Sequence, residues 1–373
     1  MKRGMEAETE WNRALAWRMG RQFLLSRAPA SDLVAVIGRV GGLHAQVLSS
    51  SVGMLAARVH NVDSGTLAEA LWSTRSVVKL WVMRGTLHIL PAADHPIWVA
   101  GMDMYRNAYA HYGMRDPALL ELADVIGAVL RDRVLSRAEL AQEVRTTGHV
   151  APPVTDLLEG SWGSALKPAS FLGHLCHGPN QAGSAAFTNP STWLSLLPPA
   201  PSQTDALREI ARRYFGAYAP ATTQDLAAWW GVSARLAATL VTLIRPELAE
   251  LQIENRSYWM LRAHLDDLLA TPPLSVDEPI VRLLPSFDPW VVAGNRHQKP
   301  GIGNPTLDPS HRSAVYRQQG WVSPVITVNG RIVGTWAFAG PNRRSVTLTT
   351  FAPLGRRART ALDRDVDQLH PAP

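Results

Sequence analysis

The chain is short of several residue types, and each scarcity excludes something. A single cysteine, Cys176, in 373 residues excludes an internal disulfide framework and any zinc module built on several cysteines. Lysine stands only at positions 2, 79, 167 and 299, so 33 of the 37 basic residues are arginine. Few amines are therefore present to act as Schiff-base nucleophiles. No apolar run reaches the roughly 18 residues that a membrane helix needs. The start, Met1-Lys2-Arg3-Gly4, leads into acidic residues rather than the apolar core of a signal peptide. A soluble, intracellular protein with no membrane partner is the expectation.

Hydrophobic residues make up 46% and charged residues 18%, a globular balance rather than a disordered one. The length suits about two to four packed units. Acidic residues number 31 against the 37 basic ones, for a net charge of +6. That excess suits a polyanionic partner, because neutralised phosphates supply most non-specific affinity for nucleic acid. A GC-rich coding sequence accounts for arginine replacing lysine, but not for the positive sign.

The patterning repeats along the chain. Trp11, Leu15, Met19 and Phe23 recur every four residues and form one helical stripe. Ser31 can cap a second helix with Leu33, Val36, Ile37 and Val40 on one face, ended by Gly41-Gly42. Thr66 to Glu69 reads as a capping box, and the β-branched run 77–90, broken at Arg84-Gly85, as a strand pair. A second round follows. Ser136 and Glu139 make another capping box, 166–176 is a helix with Pro168 in its first turn, and 177–189 is a loose hairpin. A proline-rich stretch, Leu197-Pro-Pro-Ala-Pro201, marks a boundary. The third round has a helix over 204–218, a cap at Thr222, a helix opened by Ser233, and a hairpin over 251–261 turning at Asn255-Arg256. Helices followed by a two-stranded wing, three times over, read as three tandem winged helix-turn-helix units.

The tail differs. Runs 281–284, 290–293, 321–328, 331–339 and 345–351 are short and β-rich, with Asn329-Gly330 as a hairpin turn. They predict a small β-sheet or partly closed barrel, followed by a polar helix over 356–369. The fold class is α+β, divided into 1–110, 111–200, 201–272 and 273–373. His174, Cys176 and His177 do not make a metal site. On a helix their spacing turns the side chains by about 200° and about 100°, and no fourth ligand is evident. Trp81, Trp229 and Trp230 are read as core, and Asp288 as a turn residue.

Four motifs carry a resemblance. Leu43-His44-Ala45-Gln46, Arg84-Gly-Thr-Leu-His-Ile-Leu90, Leu284-Pro-Ser-Phe-Asp-Pro289 and Gly320-Trp-Val-Ser-Pro324 together resemble the AlkZ/YcaQ family of bacterial winged-helix DNA glycosylases. The resemblance runs from about Trp11 to Phe351. It implies three winged helices in a C-shaped arrangement with a C-terminal small β-barrel, and excision of alkylated bases or unhooking of interstrand crosslinks from double-stranded DNA. It places the catalytic pair at His44 and Gln46. The commoner pattern has glutamine first. The histidine here resembles an AlkZ-like subgroup associated with bulky guanine adducts of natural-product genotoxins and with self-resistance of the producer. No cofactor and no metal are implied, and the expected state is a monomer associated with the nucleoid.

Elementary chemistry suits so spare a motif. A purine alkylated at N7 or N3 is already cationic and leaves as a neutral base, so no acid must protonate it. What remains is to position a water and to tolerate an oxocarbenium-like sugar. Gln46 offers an acceptor and a donor to orient that water, and a neutral His44 can take its proton. Activity should then fall as pH drops through the imidazole range. Lys79 is the one lysine in a motif-bearing segment and is expected on the surface, so hydrolysis without strand cleavage is expected. Ser49, Ser50 and Ser51 can bind phosphate or cap the next helix. Arg84, Thr86 and His88 alternate along a strand and share one face, which either lines the DNA channel or meets solvent. Arg296 with His297, and Arg343 with Arg344, are loop basics that either contact phosphate or lie on solvated surface. A non-catalytic DNA-binding regulator or damage sensor, and a general repair glycosylase for small alkyl lesions, are the competing readings.

Overall fold

The computed structural model describes residues 7–103, 106–160, 163–195, 197–293, 306–339 and 345–369. The chain divides into two compact units. One joins Met1–Gly65 to Ala211–Pro373, and the other is Thr66–Ile210. Helices and sheets are mixed in both, so the α+β class stands. Among the described residues, no single helix is long and apolar enough to cross a membrane.

In the first unit the helix Trp11–Arg21 buries Trp11, Leu15 and Met19, as the stripe predicts. Phe23 lies past its end in a left-handed conformation, φ 57°. The helix Leu33–Arg39 buries Leu33, Val36 and Ile37. Its start departs from expectation: a 3-10 turn, Ala30–Asp32, precedes it, and Ser31 donates its hydroxyl to the Asp32 carboxylate instead of capping. Thr222 and Asp225 close a capping box on Thr223–Trp230, and Ser233 caps Ala234–Leu243. Trp229 and Trp230 are buried. The hairpin that follows pairs Leu248–Ile253 with Arg256–Leu261. Its turn falls at Glu254-Asn255, one position earlier than expected, with φ 50° and 62°. These two left-handed residues give the primed turn whose twist matches the strands. Ala7–Thr9 adds a third, parallel strand along Leu248–Ile253.

The tail of this unit is an open sheet, not the expected β-barrel. Val281–Leu284, Val325–Val328, Arg331–Ala339 and Ser345–Thr350 pair antiparallel in that order, and among the described residues the last strand does not return to the first. Closure is unnecessary because the helix Arg356–Asp367 covers the apolar face. Leu362 packs with Val281, Leu283, Ile326 and Trp336. Burying one sheet face under a helix satisfies the same requirement that closing a barrel would. Asn329 and Gly330, φ 49° and 75°, make the expected turn. The run 290–293 is not a strand. Asp288 caps, and Pro289 starts, a short helix Pro289–Val292.

In the second unit Val77–Trp81 and Leu87–Pro91 form the expected hairpin, and Cys176–Gln181 pairs with Ser184–Thr188, which also takes Leu135–Ser136. The Ser136–Glu139 capping box is realised on Arg137–Thr147. Thr66 does not cap: it falls inside Ser64–Ala68, which runs into a π-helical turn, Glu69–Ser73. The helix expected over 166–176 is shorter, Lys167–Phe171, with Pro168 in its first turn as read and Gly173 at φ 78° beyond it.

Candidate active site

The turn before the motif is fixed from the same unit. Tyr218 donates its hydroxyl to the Val40 carbonyl at 2.5 Å. Gly41 takes φ 72°, and a Cβ there would lie 2.9 Å from Trp229 Cζ2. Only glycine fits both the backbone and the space. From this anchor Leu43–His44 is a two-residue strand, and Leu48–Ala56 is the next helix. Leu43 and Ala45 are fully buried, His44 is 7% exposed, and Gln46 is exposed. Leu43 and Ala45 thus turn into the core, while of the two polar residues Gln46 reaches the surface and His44 stays almost wholly covered.

The His44 ring lies flat on Phe287, 4.3 Å between centroids and 7° between planes. Phe287 meets the edge of Trp321 at 5.0 Å. Phe287 holds φ 63°, an uncommon conformation for a bulky side chain. The neighbouring Asp288 maintains that turn: it caps Trp290 N at 2.9 Å and grips Arg58 at 2.7 and 2.8 Å, both side chains fully buried. Asp288 is therefore both the expected turn residue and one half of a buried clamp. Arg58 also donates to the Met54 carbonyl at 2.9 Å, tying this clamp to the helix that follows the motif. Arg58 escaped the sequence reading, and so did the role of Phe287 inside the 284–289 motif, because Asp288 and His44, their respective partners, lie more than 200 positions away.

Ser51 is fully buried and donates to the His44 carbonyl at 2.9 Å, so its hydroxyl supports the motif from inside rather than facing a ligand. Ser49 and Ser50 are half-buried in the first turn of Leu48–Ala56. The N-cap there is Val47, with no side-chain cap, so neither serine caps the helix. Both line a cavity of about 460 Å³ whose walls include Pro285, Trp321, Trp336 and Phe338.

Arg84, Thr86 and His88 belong to the second unit. They do not alternate along one strand. Arg84 sits in the 3-10 turn Met83–Gly85 at φ 59°, Thr86 follows that turn, and only His88 lies in Leu87–Pro91. They are gathered by hydrogen bonds instead. Arg84 Nη2 lies 3.1 Å from His88 Nε2, and His88 Nδ1 lies 3.0 Å from the Thr86 carbonyl. His88 is 2% exposed, so it is not on a solvated face. The Tyr112 hydroxyl donates to the Arg84 carbonyl at 2.9 Å, and the Arg84 amide donates to the Tyr109 hydroxyl at 3.3 Å. Burial pushes the Tyr109 phenol up to about 12, so it stays a neutral partner. Arg296 and Arg343, like His297 and Arg344, lie outside the described residues.

Lys79 departs from expectation. It is half-buried in Val77–Trp81, and burial lowers its ammonium from the usual range. That is the direction a Schiff-base lysine needs, so a trapping test is informative. His174, Cys176 and His177 stand in separate settings. His174 Nε2 faces Asp124 at 3.2 Å, His177 packs against Trp81 at 5.0 Å, and Cys176 is fully buried, its thiol pushed up by burial. Cys176 should resist iodoacetamide in the folded protein and react only after unfolding, as read by intact mass. Labelling of the native chain would contradict its burial.

A family model described as DNA glycosylase AlkZ-like matches residues 37–371. The chain is similar to the interstrand DNA cross-link repair glycosylase of Streptomyces sahachiroi, 30% identical over 374 positions that cover 96% of this chain and 95% of that protein. It also resembles the solved structure of Streptomyces sahachiroi DNA glycosylase AlkZ, with a TM-score of 0.84 and 29% identity over 97% of this chain and 96% of that one. The match spans both compact units and includes the His44 to Gln46 motif, so the chain belongs to the AlkZ-like family and is a DNA glycosylase.

Proposed function

We propose that this glycosylase hydrolyses the N-glycosidic bond of purines alkylated at N7, with bulky guanine adducts of a natural-product genotoxin as its substrates and self-resistance as its role. The observation that carries the reading is the presentation of the motif. His44 is stacked on Phe287 and held through its carbonyl by Ser51, while Gln46, two residues on, is exposed. A fixed imidazole beside a free carboxamide is suited to one task, holding and deprotonating a water next to a sugar that is losing a neutral base. The departing purine is the electron sink, so the protein needs no acid, metal or cofactor on the leaving side. A regulator that only binds DNA gains nothing from this arrangement. The cavity beside Ser49 and Ser50, walled by tryptophan, phenylalanine and proline, supports a lesion larger than a methyl group. We read the three helix-and-hairpin segments as winged helices that hold the duplex, acting as a monomer.

The relative from Streptomyces sahachiroi, named for interstrand cross-link repair, favours a second reading in which crosslinks are unhooked by the same bond cleavage at each alkylated purine. One substrate panel separates these readings. Duplexes carrying N7-methylguanine, a bulky aromatic N7-guanine adduct, or an N7–N7 guanine crosslink are each scored for released base and for strand scission. The proposal expects fastest release from the bulky adduct, an intact abasic strand, and no covalent product on borohydride treatment. Fastest release of N7-methylguanine would point to general repair, and crosslink unhooking at a matching rate to the second reading. A borohydride-trapped adduct that disappears in Lys79→Gln would overturn simple hydrolysis.

A further inference from the structure

The helix Leu48–Ala56 begins two residues after Gln46, and Ser49, Val52, Gly53 and Ala56 fall on one of its faces. All four line the cavity of about 460 Å³, whose walls belong entirely to the unit that joins Met1–Gly65 to Ala211–Pro373. Trp321 is part of the same wall and also part of the surface, 45% exposed. Its ring meets Phe287 at 5.0 Å, and Phe287 carries the His44 ring at 4.3 Å. One aromatic side chain therefore separates the cavity wall from the motif. Leu48 is 39% exposed, so two of the four large apolar side chains exposed among the described residues adjoin the motif or its platform.

The backbone around Trp321 is tied. The turn Gln318–Gly320 before it carries two left-handed residues, Gln319 at φ 57° and Gly320 at φ 77°. Arg317 N donates to the Trp321 carbonyl at 2.9 Å, and Trp321 N to the Gln318 carbonyl at 3.2 Å. A left-handed glutamine is unfavourable and persists only where its surroundings impose it; here the turn keeps an indole at the surface. The charged residues in the cavity walls are Arg27, Asp63 and Asp365, and Arg27 donates to Gln368 at 2.7 Å. Two carboxylates against one guanidinium do not suit a DNA phosphate. Aromatic walls suit a flat, uncharged occupant, and the volume lies within the ~300–1,000 Å³ of small-molecule pockets. In a guanine alkylated at N7, only C8 separates the substituted nitrogen from N9, which holds the sugar. A glycosidic bond brought to His44 and Gln46 thus brings its N7 substituent to their neighbours, Val47 and the helix Leu48–Ala56.

We propose that Trp321 and the cavity it walls form the subsite that selects the lesion. The flat aromatic appendage on guanine N7 stacks on the indole and enters the cavity, while the glycosidic bond faces the motif. Trp321 is a specificity-determining residue in this arrangement, and a lesion without an aromatic ring gains nothing from it. The inference rests on N7-alkylated guanine as the substrate of the glycosylase.

The test uses the full chain and duplexes carrying either N7-methylguanine or a polycyclic aromatic N7-guanine adduct. The readout is the ratio of their single-turnover release rates, in which a general disturbance of Phe287 cancels. Trp321→Ala should lower the ratio of bulky to methyl release about tenfold, the scale of losing one stacking platform, and Trp321→Phe should restore most of it. Ala56→Phe places a ring on the cavity face of the helix and should lower the ratio as well. An unchanged ratio in both Trp321→Ala and Ala56→Phe would overturn the proposal. A second arm needs no catalysis. Equilibrium dialysis follows the free adduct base, released by heat from alkylated DNA, and the same alkylator after quenching with water. Wild type should retain the adduct base, and both variants should retain it about tenfold less. Equal retention by the variants, or none by wild type, would overturn the subsite. Retention of the quenched alkylator but not of the adduct base would overturn it in favour of a site for the unreacted genotoxin. If neither duplex releases a base, the substrate reading fails, yet retention lost in both variants would still uphold the subsite.

Discussion

Replacing His44 and Gln46 together by alanine should slow base release by ~10²–10⁴-fold, the range for a positioned acid–base group, with affinity for the damaged duplex near that of wild type. The magnitude follows from what each group would do. Both would act on one water, so their effects should not add: either single variant should approach the double. His44 is the more constrained of the two, stacked at 4.3 Å on Phe287 and held through its carbonyl by Ser51. Gln46 is exposed and can be replaced without disturbing packing. His44→Gln is the informative substitution. It keeps hydrogen-bonding capacity but loses the proton acceptor, so the residual rate should not fall with acid across the imidazole range, whereas wild type should. Single-turnover rates of base release from pH 5 to 8, measured on the lesion the enzyme prefers, decide this. Equal acid sensitivity in wild type and His44→Gln would remove His44 from the role of base, and unchanged rates in the double variant would move catalysis elsewhere.

What was legible in the sequence was local. Ser136 with Glu139, Thr222 with Asp225, and Ser233 each satisfy backbone donors within three residues, and all three caps are present. The Asn329-Gly330 turn was legible from its own left-handed propensity, and the structure adds hydrogen bonds from Asn329 to Ile280 and to the Ser275 carbonyl. The misreadings come where a local signal is ambiguous. The run 290–293 is apolar and short, so its periodicity cannot separate strand from helix. The deciding residues, Asp288 and Pro289, stand just before it. Thr66 and Glu69 have the spacing of a capping box, but Ser64 starts the helix two residues earlier. Thr86 and His88 looked like neighbours on a strand because the left-handed turn at Arg84 is not encoded by a glycine at that position. The barrel stayed open because the helix Arg356–Asp367 covers the sheet, a tertiary outcome that strand propensity does not carry. The candidate site was half legible. The motifs at 43–46 and 284–289 were both evident, but the stacking of His44 on Phe287 joins positions more than 200 apart, and no pattern in either segment announces it.

Arg58→Ala should destabilise the protein by ~3–5 kcal/mol, the cost of stranding one partner of a buried ion pair. That is a large share of the ~5–15 kcal/mol by which folded proteins are stable. The value is high because Arg58 and Asp288 are both fully buried and joined by two hydrogen bonds at 2.7 and 2.8 Å, so a lone carboxylate would have neither water nor a cation. Asp288→Asn gives an independent approach. Asparagine still caps Trp290 N, so the short helix keeps its start, yet Arg58 loses its counter-charge. Its cost should therefore be comparable although the cap survives. A double variant that removes both charges should recover part of the loss, and the coupling between the sites measures the pair itself. Urea unfolding followed by tryptophan fluorescence reads all four proteins. Losses below about 1 kcal/mol in both single variants, the ordinary scale of exposed pairs, would show that the clamp is not holding the turn. The pair also links stability to activity. Asp288 adjoins Phe287, whose left-handed backbone is itself unfavourable and persists only while its surroundings impose it. Loosening the clamp should let Phe287 relax and take the platform from under His44. Variants that remain folded at assay temperature should therefore lose base release more than DNA affinity, although neither Arg58 nor Asp288 is exposed to a substrate. Equal losses in both would assign the clamp to stability alone.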